Sequence, residues 1–264
     1  MNPIVKTKLP NIKNIIIVAS GKGGVGKSTV AVGMAMSLAM EGYATGLLDA
    51  DIYGPSIPVL FNLQGQQPGV EEHNGKNFMM PFIKFGIKLM SIGFYIDTKQ
   101  AIVWRGPRAS SGVSQLLSET MWGELDYLII DTPPGTGDVH ITLLQNFETS
   151  GVVVVTTPQH LALSDVKKAI DMYHDKQIGI PVLGIVENMA WFTPTQHPDE
   201  QYFLFGKGGG EELAKEFNIP LLAQIPMNEK MCESCDAGRM NELFADEVVK
   251  NAFDKLTKSI IKQD

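Results

Sequence analysis

One short segment, residues 21–28 with the sequence GKGGVGKS, constrains the fold of this chain most strongly. It matches the pattern G-x-x-x-x-G-K-[ST], in which glycines let backbone amides close around phosphate oxygens. An apolar run at 15–19 predicts a buried parallel strand before the segment, and residues 28–41 predict a helix after it. The alternative is a chance match in a glycine-rich turn, for which no strand before the segment and no helix after it would be expected. The sequence therefore predicts a loop that binds the phosphates of a nucleotide.

The residues of this loop have separate expected roles. Lys27 is expected to reach the terminal phosphates, and Ser28 to offer its hydroxyl to Mg²⁺. The N-terminus of the following helix adds a dipole that favours phosphate. We therefore predict a site for ATP and Mg²⁺, and its loop residues are Gly21, Lys22, Gly23, Gly24, Val25, Gly26, Lys27, Ser28 and Thr29.

Lys22 is an additional lysine that the minimal pattern does not need. At the start of the loop it lies beside phosphate but is poorly placed to reach the γ-phosphate of its own nucleotide. One interpretation is a solvated lysine that only adds positive potential. The other is a charge supplied across a dimer interface to the nucleotide of a partner, in the manner of an arginine finger.

Length and composition fit one large α/β domain, which we expect to occupy residues 1–264. The net charge of −7 argues against a general nucleic-acid surface. No run of 18 apolar residues exists, so no membrane span is expected. The apolar stripe at 248–261 favours a last helix that packs on the sheet over one that binds membranes. Two cysteines and no signal peptide favour a reducing cytoplasm.

Apolar runs alternate with helical stretches along the chain. Several runs, such as 127–130 and 152–155, are apolar throughout, which is typical of parallel strands buried on both faces. We predict an α/β fold with a mostly parallel twisted sheet of about seven to eight strands and helices on both faces. The predicted strands are 15–19, 45–49, 88–92, 127–131, 152–156, 182–186 and 222–225, and the predicted helices are 28–41, 108–120, 161–177, 209–217 and 241–262. The polar segment 62–78 predicts a loop or hairpin.

Aspartates follow two of the predicted strands. Asp49 and Asp51 are two positions apart, so strand alternation would place them on one face, near the nucleotide. One would help to hold Mg²⁺ and the other would activate the attacking water, roles that we assign to Asp49 and Asp51 respectively. The alternative is a helix cap plus a solvated turn residue. Asp131 ends another apolar strand in a Walker B pattern and is expected to bind Mg²⁺ through water.

Asn188 follows the predicted strand 182–186. An amide at this position could contact adenine as donor and acceptor together. The alternative is an ordinary strand-end asparagine in a turn.

Residues 20–29, SGKGGVGKST, resemble the deviant Walker A motif of the MinD, ParA and nitrogenase iron protein superfamily. The resemblance implies a P-loop NTPase fold of the SIMIBI type and a homodimer that encloses its nucleotides. It also implies that Lys22 acts in trans, as a catalytic residue beside Lys27 and Asp51. Asn188 matches the adenine-binding asparagine of that superfamily.

Further motifs resemble the Mrp/ApbC family of iron–sulfur cluster carrier ATPases, over about 12–238. They are DADIYGPS at 49–56, WRGP at 104–107, DTPPGTGD at 131–138, ENM at 187–189, FGKGGG at 205–210 and IP at 225–226. The resemblance implies slow ATP hydrolysis, apo iron–sulfur proteins as clients, and a nucleotide contact at Pro226.

Two departures from that family stand out. Many members carry a small domain before the ATPase, which we expect to be absent here. The family also carries Cys-x-x-Cys shortly after Glu-Asn-Met, where this chain has WFTPTQH at 191–197. Its only cysteines, Cys232 and Cys235, form another such pair, and two chains would supply four thiolates for a [4Fe-4S] cluster. The alternative is a pair of ordinary residues on a helix-entry turn. His197 is either a further ligand or a solvated loop residue.

The leading hypothesis is an ATP-hydrolysing homodimer that binds iron–sulfur clusters and transfers them to apoproteins. One alternative is a positioning ATPase of the MinD/ParA type without a cluster. Another is a nucleotide-dependent scaffold that does not catalyse hydrolysis.

Overall fold

The computed structural model describes residues 6–95, 106–175, 178–194, 196–197 and 199–263. Its strands are β1 Ile12–Ser20, β2 Thr45–Asp49, β3 Val70–His73, β4 Lys76–Met79, β5 Phe82–Lys84, β6 Ile87–Ser91, β7 Leu125–Asp131, β8 Gly151–Thr156, β9 Val182–Phe192 and β10 Leu221–Met227. Its α-helices are α1 Lys27–Met40, α2 Ile57–Leu60, α3 Gly106–Ser118, α4 Asp138–Asn146, α5 His160–His174, α6 Gly209–Phe217, α7 Glu229–Asp236 and α8 Glu247–Ile261. Short 3₁₀ turns occupy Ile92–Phe94 and Met240–Glu242.

The described strands form an eight-stranded sheet in the order β10-β9-β8-β1-β7-β2-β6-β5. Every neighbouring pair is parallel except β5 and β6 at one edge. The side chains of β8 are buried along its whole length, because helices cover the sheet. The predicted α/β fold with a mostly parallel sheet is confirmed.

The register of the sheet places the predicted acidic residues side by side. Asp131 at the end of β7 pairs with Asp49 at the end of β2, and with Val18 near the end of β1. Because parallel strands end at the same edge of a sheet, the loops after β1, β2 and β7 meet there. The glycine-rich loop follows β1 and leads directly into α1.

The last helix packs inside the fold. Val249, Phe253, Leu256 and Ile260 of α8 are buried, and α8 lies against β10 and α1. Phe253 approaches α1 so closely that a Cβ atom on Gly33 would overlap its ring. These contacts agree with the predicted packing on the sheet. None of the helices in the described part of the chain is long and apolar enough to span a membrane.

Some predicted boundaries were wrong. The last helix starts at Glu247 rather than at 241, because the Asp246 side chain accepts hydrogen bonds from the amides of Val248 and Val249 and so caps it there. The helix predicted at 161–177 is observed as α5, which ends at His174. Part of the segment 62–78 forms the antiparallel hairpin β3–β4.

Three short helices, α2, α4 and α7, were missed by the sequence analysis. The segment that becomes α4 follows a proline- and glycine-rich stretch that predicts a loop. The helix α7 has only eight residues and few of them are apolar, so its pattern is too short to predict a helix.

Candidate nucleotide site

The glycine-rich loop 21–26 borders an open cleft of about 550 Å³ at the carboxyl edge of the sheet. Gly26 adopts a φ of 78°, and a Cβ atom there would overlap Nδ2 of Asn188. A Cβ atom on Gly21 would lie 2.6 Å from the backbone of α5. The loop can therefore take this path only with glycine at these two positions. Its residues that line the cleft are Lys22, Gly23, Gly24, Gly26, Lys27, Ser28 and Thr29, whereas Gly21 and Val25 lie behind them.

Lys27 lies between two aspartates on the floor of this cleft. Its Nζ is 2.6 Å from Oδ1 of Asp131 and 3.7 Å from Oδ2 of Asp51. It also donates a hydrogen bond of 3.3 Å to Oγ of Ser28. Burial raises the pKa of the Asp131 carboxyl, and the positive charge of Lys27 opposes this shift. Lys27 is thus the counter-charge that keeps a fully buried carboxylate in the fold.

The oxygen atoms around Lys27 fit a magnesium ion. Oδ2 of Asp131 is buried and has no hydrogen-bond partner among the described residues. The Ser28 hydroxyl and the Asp51 carboxylate both line the cleft. Carboxylate, hydroxyl and phosphate oxygens are the ligands that Mg²⁺ prefers. The Mg²⁺ roles of Ser28 and Asp131 stay predictions, and the positions of these oxygen atoms agree with them.

Asp49 and Asp51 have different hydrogen-bond partners. Both of its carboxylate oxygens accept hydrogen bonds: Oδ1 from the amide of Asp51, and Oδ2 from the amide of Ile57 and the hydroxyl of Ser91. It is fully buried and does not line the cleft described above. Burial, together with the charge of Asp131, raises its pKa to about 7. Its assignment to Mg²⁺ stays a prediction, and its observed contacts shape the turn at 51–57.

The two aspartates differ because β2 ends at Asp49. Asp51 lies in the turn beyond the strand, so strand alternation no longer sets its direction. There its Oδ1 accepts a hydrogen bond from the amide of Gly54 at 3.2 Å, while Oδ2 faces Lys27. Asp51 is thus fixed at one oxygen and directed into the cleft by the other.

Lys22 lines the open side of the cleft. Its backbone carbonyl accepts a hydrogen bond of 3.0 Å from the Ser20 hydroxyl, which holds the start of the loop. The 131–138 segment docks on the same strand end, because the amide of Gly135 donates to the carbonyl of Ser20 at 2.8 Å. Pro134 of this segment also lines the cleft, so a ligand there would contact both loops.

Asn188 lies beneath the loop rather than on the cleft wall. Its Nδ2 donates a hydrogen bond of 2.9 Å to the carbonyl of Val25, and its Oδ1 is buried without a partner among the described residues. Pro226 is buried in β10, next to Ile225, which is the register partner of Asn188. Neither residue lines the cleft as it stands. Their adenine contacts stay predictions, and the observed role of Asn188 is to support the phosphate loop.

The two cysteines lie on α7, at the edge of the same cleft. Sγ of Cys235 is 4.0 Å from Oγ1 of Thr29, and Cys235 lines the cleft, whereas Cys232 is exposed to solvent. The described residues contain no group of three or more His, Cys, Asp or Glu side chains placed to hold a metal ion. His197 lies instead 3.6 Å from Glu200. Within the described ranges, one chain therefore offers two thiols and no further ligand grouped with them.

Comparison with known proteins agrees with this geometry. The sequence model of the NUBPL iron-transfer P-loop NTPases, a ParA-type family, matches residues 11–261. The chain belongs to this family. The iron–sulfur cluster carrier protein of Synechocystis sp. is 49% identical over 227 residues, which cover 86% of this chain and 64% of that relative. The resemblance to iron–sulfur cluster carrier ATPases is thereby confirmed.

Solved structures give the same fold. The nucleotide-binding protein of Archaeoglobus fulgidus in complex with ADP is 41% identical, with a TM-score of 0.76 over 89% of this chain and 90% of that one. The cell-division ATPase MinD of Pyrococcus furiosus is 20% identical, with a TM-score of 0.65 over 96% of this chain and 100% of that one. At that identity the second comparison supports the fold alone.

A buried histidine that the sequence analysis missed supports the Walker B strand of this NUBPL-type NTPase. Nε2 of His140 lies 2.9 Å from Oγ1 of Thr132, which donates to the carbonyl of Val18 at 2.8 Å. Burial first, and then the charge of Lys27, lower the pKa of His140 to about 4. The imidazole is therefore neutral at pH 7 and ties α4 to the residue after Asp131. Only the position of Thr132 after Asp131 could have indicated this contact.

Proposed function

We propose that this chain binds and hydrolyses ATP as a homodimer and carries iron–sulfur clusters to apoproteins. The observation that carries the proposal is the Lys27 ammonium between Asp131 and Asp51, on the floor of a cleft bordered by the glycine loop. The ADP complex of the Archaeoglobus relative and the name of the Synechocystis relative support it. The chain spans 64% of the length of the Synechocystis relative.

The nucleotide would bind with its phosphates in the glycine loop. Backbone amides of the loop and the N-terminus of α1 would surround the phosphate oxygens. Lys27 would then shift from its contact with Asp131 towards the β- and γ-phosphates, which offer it a new counter-charge. Asp131 and Ser28 would hold Mg²⁺, which neutralises phosphate charge when bound.

Asp51 would act on the attacking water. Its Oδ2 faces the cleft while Oδ1 is fixed by the amide of Gly54. In the step, the water oxygen bonds to the γ-phosphorus, the bond to the β–γ bridging oxygen breaks, and ADP leaves. Asp51 accepts the proton of the water. Lys22 of a second copy would stabilise the charge that develops on the γ-phosphate.

Phosphate release from ATP tests the catalytic part. We expect Lys27→Ala and Asp51→Asn to abolish turnover, and removal of Mg²⁺ by EDTA to do the same. Wild-type protein that releases no phosphate above background would refute hydrolysis. A Lys8→Ala variant changes an exposed lysine that does not line the cleft, so it is the matched control and should keep full turnover.

Mixing two inactive variants tests whether Lys22 acts in trans. A heterodimer of Lys22→Ala and Asp51→Asn chains has one complete site, formed by Asp51 of the first chain and Lys22 of the second. Random pairing makes half of the dimers heterodimers, so activity should return to roughly a quarter of wild type. If Lys22 acts on its own nucleotide, the mixture stays inactive.

A further inference from the structure

The Cys-x-x-Cys pair and the nucleotide cleft share a wall. Cys235 and Asp236, at the end of α7, line the cleft together with Lys27 and Ser28. Thr29, the residue after the predicted magnesium ligand, lies 4.0 Å from the thiol of Cys235. The sulfur atom therefore borders the space that a nucleotide would fill.

The end of α7 also contacts the segment that follows Asp51. Gly238 adopts a φ of 64°, and a Cβ atom there would lie 2.9 Å from the carbonyl oxygen of Val59 in α2. Val59 itself lines the cleft. The end of α7 is thus fitted between the start of α1 and the segment after β2, both of which border the predicted phosphate site.

The other end of α7 is anchored by a side-chain cap, while most side chains along the helix are exposed. The side chain of Asn228 accepts from the amide of Met231 and donates to Asp246, at 3.0 and 2.9 Å. Ser234 is the one buried residue among those that α7 contains. Met231 and Cys235 are half-buried and pack against the core. Cys235 thus lies at the wall of the cleft, where a ligand that fills the cleft would cover its thiol.

We propose that Cys232 and Cys235 bind the iron of the cargo cluster, and that nucleotide in the cleft shields Cys235, so that cargo and nucleotide binding are linked. This inference rests on the proposed function. Each thiol loses its proton to solvent as its sulfur binds iron, and two copies of the chain supply the four thiolates of a [4Fe-4S] cluster. Positions i and i+3 of a helix lie on one face, so both thiols can bind one cluster.

Two properties of the thiols agree with this assignment. Cys235 is half-buried at the cleft wall beside Thr29, so a nucleotide that fills the cleft would cover its thiol. Cys232 is exposed and remains available whether or not the cleft is filled. Because linkage is reciprocal, a bound cluster should weaken nucleotide binding by the factor with which nucleotide weakens cluster binding.

Alkylation by iodoacetamide measures the shielding. In Cys232→Ser the remaining thiol is Cys235, and we expect Mg·ADP or a non-hydrolysable ATP analogue to slow its alkylation about tenfold. In Cys235→Ser the remaining thiol is Cys232. This variant is the matched control, and its alkylation rate should be the same with and without nucleotide. Equal rates at Cys235 with and without nucleotide would overturn the linkage.

Anaerobic reconstitution with ferrous iron and sulfide locates the cargo. We expect wild type to gain bound iron and visible absorbance, and each cysteine variant to lose them while its melting temperature stays unchanged. If wild type and both variants gain the same cluster, the assignment to these cysteines fails but the carrier function stands. If wild type gains no cluster, the proposed carrier function itself fails, and this inference fails with it.

Discussion

The ion pair beneath the phosphate loop makes a prediction about stability that is separate from catalysis. The side chain of Lys27 is 7% exposed and that of Asp131 is 0% exposed, with 2.6 Å between their charged atoms. Removing one partner of such a buried pair costs about 3–5 kcal/mol, because the other charge stays buried without compensation. Lys27→Met keeps most of the packing volume, so its loss of unfolding free energy at pH 8 should fall in that range.

The pH dependence of this loss identifies its cause. Burial already raises the pKa of Asp131 in the folded state, and loss of Lys27 should raise it further. An acid with a raised folded pKa binds its proton more tightly when folded, so stability increases as the pH falls towards the unfolded value of about 3.9. The Lys27→Met penalty should therefore be smaller at pH 6 than at pH 8, by up to ~1.4 kcal/mol for each pH unit that lies below the folded pKa of Asp131 in the variant.

Urea unfolding of the nucleotide-free protein, followed by tryptophan fluorescence with EDTA present, measures both effects. The double variant Lys27→Met with Asp131→Asn has no unpaired carboxylate at this position, so it should regain most of the lost stability and show no such pH dependence. A penalty below about 1 kcal/mol, an equal penalty at both pH values, or a double variant no more stable than the single one would refute the reasoning.

Three further substitutions test other contacts. Gly33→Ala places a Cβ atom against the Phe253 ring, so it should lower the unfolding free energy by about 1–3 kcal/mol. Adding Phe253→Leu to the same chain should recover part of this loss. Thermal unfolding measures both variants, and an unchanged melting temperature in Gly33→Ala would contradict the predicted overlap. Asp49→Asn puts an NH₂ group where Oδ2 accepts hydrogen bonds from the amide of Ile57 and the hydroxyl of Ser91. Each donor left without an acceptor should lower the unfolding free energy by about 1–3 kcal/mol. The pKa of Asp49 is about 7 in the folded state, so this group stabilises wild type at low pH and the stabilisation is lost as the pH rises from about 4 to 7. The loss of unfolding free energy in Asp49→Asn, measured in urea, should therefore be larger at pH 5 than at pH 8. The opposite order would contradict this cause. Asn188→Asp replaces the donor Nδ2 by a carboxylate oxygen, which then faces the carbonyl oxygen of Val25 with no hydrogen between them. The Kd for a fluorescent ATP analogue should rise by roughly 5- to 100-fold. An unchanged Kd would show that this contact does not support the loop.

The gathering of Lys27, Asp51 and Asp131 could be predicted from the sequence. Each follows or ends an apolar run that is buried on both faces, and such runs predict parallel strands. Parallel strands end at one edge, so residues more than 100 positions apart meet there, as Lys27 and Asp131 do. The directions of individual side chains could not be predicted in the same way. Strand alternation holds for Asp49 but fails for Asp51, because the strand ends between them.

The contact between Thr29 and Cys235 joins residues that are 206 positions apart, and no pattern in the chain indicates it. Apolar periodicity predicts a helix that buries one face, whereas α7 buries a single residue and is fixed by a side-chain cap and by the cleft wall. The features that hide α7 from sequence analysis are thus its short length and its few apolar residues. Its contacts with α2 and with Thr29 of α1 nevertheless place Cys235 where a ligand in the cleft would cover the thiol.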